Sequence, residues 1–69
     1  MRRIKYSPDV DALLIRISDQ KVDYAEEAGD FILHYSEEGE LVLIEVFHAT
    51  RFLLSLLSSM IKQEEVVLT

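Results

Sequence analysis

Polar and apolar residues alternate from the start of the chain. Arg2-Arg3-Ile4-Lys5-Tyr6 has the period of two that marks a half-buried strand. Ser7-Pro8-Asp9 ends it: Pro8 fixes φ, and the Asp9 carboxylate can accept a hydrogen bond from nearby backbone. Alternation resumes from Ala12 to Ser18, with Leu13, Ile15 and Ile17 on one side and Ala12, Leu14 and Arg16 on the other. Ser18-Asp19-Gln20-Lys21 is a polar connector, and Val22 to Ala25 is a weak, acidic strand pattern. Glu26-Glu27-Ala28-Gly29-Asp30 reads as an exposed turn in which Gly29 supplies a positive φ. Phe31 to Tyr35 and Leu41 to Phe47 are strands by their β-branched and aromatic content. Between them lies a hairpin loop with Gly39 where a type I turn and G1 bulge need a left-handed residue. From Ala49 the chain is Leu-rich and free of Gly and Pro, with Thr50 as a candidate N-cap.

The pattern therefore predicts strands over 2–6, 12–18, 22–25, 31–35 and 41–47, a helix over 50–62 and a tail over 63–69. The fold class is α+β: an antiparallel sheet of four to five strands, made of hairpins, followed by one C-terminal α-helix packed on the sheet. The tail, Glu64 to Thr69, has strand character and is open to three roles: an edge strand, an addition to a partner, or a frayed end. The whole of 1–69 is expected to form one domain.

The faces of the strands carry more information than their order. Val42, Ile44 and Val46 share one side of the last strand; Leu41, Leu43 and Phe47 share the other, interrupted by Glu45. Its neighbour sets Phe31, Leu33 and Tyr35 against Ile32 and His34. A sheet with one face in water should alternate apolar and polar, so cover is expected on both faces. The helix points the same way. Ala49, Phe52, Leu53, Leu56, Leu57 and Met60 form one stripe, and Leu54 and Ile61 widen the apolar arc to roughly 200°, twice that of an ordinary surface helix. Ser55, Ser58 and Ser59 join Arg51 and Lys62 in a solvated strip. Phe31, Leu33, Tyr35, Leu41, Leu43, Phe47, Leu54 and Ile61 are the candidate interface residues.

Size strengthens this expectation. A chain of 69 residues is close to the lower limit for a self-sufficient core, and the absence of cysteine removes disulfides and thiolate zinc sites as supports. Oligomerisation remains, and a symmetric homodimer is its commonest form. The net charge of −6 is unevenly spread: residues 23–49 hold Asp23, Glu26, Glu27, Asp30, Glu37, Glu38, Glu40 and Glu45 and no Lys or Arg. This opposes nucleic acid as a partner and suits a small basic protein. Three basic residues, Arg2, Arg3 and Lys5, are too few to reverse that. With no apolar leader and no apolar run long enough for a bilayer, the cytoplasm is the expected location and no membrane contact is expected.

At the level of motifs, Tyr6-Ser7-Pro8-Asp9-Val10-Asp11-Ala12-Leu13 followed by Ile15-Arg16-Ile17-Ser18 resembles the opening of the DUF2283 family of small uncharacterised prokaryotic proteins. Phe31-Ile32-Leu33-His34-Tyr35, Glu38-Gly39-Glu40-Leu41-Val42 and Ile44-Glu45-Val46 continue the likeness. Leu43, His48 and His34 depart from it, standing near positions where the family tends to have Gly, an acid and Asp. The resemblance implies a fold and no catalytic residues. It also implies an antitoxin-type role, since members look like proteins that are themselves sometimes paired with small toxin-like proteins.

No residue set points to catalysis, and no cofactor is expected. His34 and His48 do not fall opposite each other, and a metal site needs at least three converging ligands. Asp9 and Asp11 are turn residues before they are a cation site, with Asp11 expected to bond backbone in the turn; Pro8 and Gly39 complete the structural turn residues. Glu45 is expected to pair with Arg16 or Lys5 across strands, or to reach solvent at an edge. Tyr6, Tyr24 and Tyr35 suit core edges with wet hydroxyls. The leading expectation is a non-enzymatic interaction module; the alternative is a small-ligand or metal-binding module using the sheet face.

Overall fold

The computed structural model describes residues 2–62. It is an α+β fold, as the pattern predicts: strands β1 (Arg3–Ser7), β2 (Ala12–Arg16), β3 (Tyr24–Ala28), β4 (Phe31–Tyr35) and β5 (Leu41–Phe47), then helix α1 (Ala49–Lys62). The tail at 63–69, with its three expected roles, lies outside the described residues.

All five strands form one antiparallel sheet in the order β1-β2-β5-β4-β3. The seven-residue strand β5 is central, pairing through its backbone with β2 at one edge and β4 at the other. Leu13 pairs with Val46, and Val46 with Phe31, so these residues share a face. Ile15, Ile44 and Leu33 form the next row of it, and Ile4 and Tyr6 extend it onto β1. Leu14, Glu45 and Ile32 make the corresponding row of the opposite face. A bulge at His34/Tyr35 shifts the register, so that Tyr35 pairs with Leu41.

One element sits differently from the expectation. β3 begins at Tyr24, not Val22, and takes in Glu26 and Glu27, which read as a turn from pattern alone. Its acids are tolerated because β3 is an edge strand exposed along its whole length, and charge on an edge discourages unwanted strand pairing. The turn shrinks to Gly29-Asp30, with Ala28 paired to Phe31. Gly29 has φ 61, and Asp30 is not among the positive-φ residues, the signature of a type II′ hairpin. Gly29→Ala is expected to destabilise by about 1 kcal/mol through backbone strain alone, since a Cβ there would meet no atom within 4 Å. Urea denaturation checks this, and the slope of the transition should not change.

The packed core is small. Among the described residues the buried hydrophobic side chains are Ala12, Val42, Val46 and Ala49, and no Leu, Ile or Phe is among them. Tyr24 and Tyr35 stack across β3 and β4 with centroids 5.1 Å apart. Phe52 sets its ring edge-on to Phe31 at 5.4 Å, which brings the first turn of α1 against one face of the sheet. Beyond that turn the helix leaves its apolar side chains in the open, where the sequence pattern predicts packing along the sheet. Leu54 is 61% exposed and Ile61 81%.

Candidate functional site

The junction between sheet and helix is built from residues far apart in sequence. The β1–β2 loop places Asp11 at φ 50, a left-handed conformation that Asp tolerates better than most residues. The Asp11 backbone carbonyl accepts from the Ala49 amide at 3.0 Å. Its carboxylate accepts from the Thr50 amide at 3.1 Å, the Thr50 hydroxyl at 2.7 Å and the Tyr6 hydroxyl at 2.7 Å. A helix leaves its first amides without internal partners, and here a loop 39 residues away supplies the acceptor. Asp11 therefore does bond backbone, though that of the helix. Thr50 is not the N-cap: the Phe52 amide donates to the His48 carbonyl, so the cap position is His48. His48 itself has φ 54, and its Nδ1 lies 3.3 Å from the Asp30 carboxylate. Two left-handed non-glycine residues thus meet at the point that aims the helix.

These hydrogen bonds hold the Asp11 carboxyl below the ordinary carboxylate range, first through the Thr50 hydroxyl, then the Tyr6 hydroxyl, with smaller help from the Thr50 amide and nearby His48. Because the folded value is depressed, the contribution to stability is complete above the ordinary value of 3.8 and is lost as pH falls through the folded value. Asp11→Asn is expected to lower the midpoint of thermal unfolding by about 5 °C near neutrality. The gap to the native chain should close as the pH is taken below about 4. Circular dichroism melts across that range check both, and a gap independent of pH would contradict the assignment.

The exposed apolar surface is one-sided. Among the described residues, and apart from Val10, the exposed large apolar side chains belong to α1 (Phe52, Leu53, Leu54, Leu56, Leu57, Ile61) or to the helix-side face and its rim (Ile4, Tyr6, Tyr24). An open groove between Tyr6, Leu13, Thr50, Leu53 and Leu54 joins the two. The candidate interface residues are divided by this arrangement. Phe31, Leu33 and Tyr35 share the helix-side face, and Leu54 and Ile61 are on the helix beside it. Leu43 and Phe47 belong to the opposite face by strand alternation, and Leu41 pairs with Tyr35 beyond the bulge.

That opposite face is mixed. Arg3, Lys5 and Arg16 flank Leu14 and Leu43 at its β1 side. Glu45 pairs there with Nε2 of His34, not with Arg16 or Lys5. The register explains the choice: Glu45 lies opposite Leu14 and Ile32, diagonal to His34, with both partners partly buried. Among the described residues no group of three or more His, Asp or Glu converges in a way that could hold a metal ion, and no helix is long and apolar enough to cross a membrane. Asp9 and Pro8 stay in the β1–β2 loop with Asp11, and Gly39, at φ 84, turns the β4–β5 loop under the Tyr24 hydroxyl.

Junction geometry of this kind leaves few sequence marks, because the Asp11 contacts join distant segments and the helix stripe resembles an ordinary core stripe. Comparison with known proteins adds one finding. No curated protein and no solved structure gives a significant match. The family model described as "Protein of unknown function (DUF2283)" matches residues 3–49, which span all five strands and stop at the first residue of the helix. The chain belongs to the DUF2283 family.

Proposed function

We propose that this chain is a non-enzymatic protein-interaction module that works as a homodimer in the prokaryotic cytoplasm. The observation that carries this is the one-sided exposure of large apolar side chains on α1 and the helix-side face. Monomeric soluble proteins seldom leave a large contiguous apolar surface in water, and among the described residues ten large apolar side chains are exposed against four buried hydrophobic ones. Without cysteine for disulfide support, association is the means this reading gives the chain to complete its core.

Once the apolar side is closed, the free surface includes the acidic edge formed by β3 and the β4–β5 loop. Glu27 is exposed there beside Asp23, with Glu37, Glu38 and Glu40 on the loop. This edge suits a small basic protein, in an antitoxin-like arrangement in which the acidic chain occupies its partner. Co-purification of the tagged chain with the products of neighbouring genes tests this. A small basic protein should be recovered with the native chain and lost from the Glu27→Lys, Glu38→Lys double variant. Equal recovery with both chains, or recovery of no basic protein, would contradict the acidic-edge assignment.

A further inference from the structure

Resting on the homodimer reading, we infer that the two copies exchange helices: α1 of each chain lies across the helix-side sheet face of the other. The occupant of that face is thus a second copy of this chain.

The first turn of α1 is fixed by the Asp11 contacts, the Ala49 amide bond and the Phe31–Phe52 ring contact. A helix of this length without Pro or Gly bends only gently, so the direction set at Thr50 largely persists to Lys62. In that direction the helix fails to cover its own sheet: Leu57 is 51% exposed, and on the sheet Ile4 is 72% exposed. Both unfinished surfaces belong to the same chain, and they match in two respects. The helix, with 14 residues, is about 21 Å long. Five strands measure about 19 Å across, so one helix spans one sheet. Both surfaces are apolar. Charge does not oppose the match either: Arg51 and Lys62 of α1 lie on its polar strip, away from the apolar stripe, and the strands of the helix-side face carry only Glu26, on the edge strand β3. An exchange about a two-fold axis satisfies both surfaces twice with one geometry, which is the requirement of a closed isologous dimer.

The chain has no native cysteine, so single introduced thiols are unambiguous. Untagged Leu57→Cys chain is mixed with tagged chain carrying Ile44→Cys on the helix-side face or Leu43→Cys on the opposite face, refolded together, and treated with a short bismaleimide. Each chain holds one thiol, so every mixed-mass product joins two chains. Light scattering on each mixture gives the assembled mass. Helix exchange predicts a two-chain mass and a mixed product with Ile44→Cys and not with Leu43→Cys. A two-chain mass with equal products from both, with Leu43→Cys alone, or with neither would overturn the exchange and leave the homodimer standing. A one-chain mass would overturn the homodimer itself and assign the apolar side to this chain's own remaining residues or to a different protein.

Discussion

Leu57→Glu is expected to convert the assembled protein to single chains, with a loss of at least about 100-fold in self-association. The magnitude follows from two contributions. Burial of a Leu side chain is worth about 1.5–3 kcal/mol, and a carboxylate in its place must be desolvated or left unpaired at the interface. The same substitution is nearly silent within one chain. Leu57 is half exposed there, and surface substitutions of this kind usually change stability by no more than about 0.5 kcal/mol. The variant thus separates the two roles of an apolar helix. Sedimentation velocity over a dilution series gives the association constant, and circular dichroism confirms that the strands and helix persist. A variant that stays assembled at the dilution where the native chain dissociates would show that α1 is outside the interface.

Val42→Asp is expected to abolish cooperative folding. Val42 is 0% exposed on the central strand, and its carbonyl accepts from the Ile17 and Ser18 amides, so the backbone there cannot shift to let the new side chain reach water. A buried carboxylate either ionises without a partner or folds protonated, and either way the cost is about 4 kcal/mol or more. A small domain has about 5 kcal/mol to lose. Loss of the thermal transition, together with collapse of amide-proton dispersion, is the expected result. Val42→Ala is the graded control: it removes packing without adding charge and should retain a transition at lower temperature. If both variants behaved alike, the lost packing and not the buried charge would decide the outcome at this position.

The parts of the fold that are legible in the sequence are those set by local chemistry. Pro8 and Asp9 mark the first turn, Gly39 the β4–β5 loop, and the β-branched runs at Phe31 and Leu41 the central hairpin. Pattern alone misplaces β3 because Glu26-Glu27 looks like a solvated turn; only the edge position of the strand makes such residues compatible with pairing. The β2–β5 neighbourhood joins Ala12 to Phe47 and has no local signature at all. Helix capping is hidden for the same reason. Thr50 is a good capping residue by type, yet it donates to Asp11, whose position across the sheet edge is a product of the tertiary fold. The apolar excess is visible in the alternation and in the wide stripe of α1. What the pattern cannot give is its geometry: Leu43 and Leu33 look equivalent as apolar strand residues, and the register puts them on opposite faces.

This distribution also sets the helix apart from the sheet. The family match ends at Ala49, where the sheet ends. The residues that follow carry most of the exposed apolar side chains, and the Asp11 contacts inside the matched span determine where they point. Sheet and helix are thus linked as platform and arm.

The most direct test of the association claim is the absolute mass in solution, by light scattering on a sizing column over a dilution series. A mass of two chains that persists on dilution through the low micromolar range is the predicted result. A mass of one chain at every concentration would contradict it.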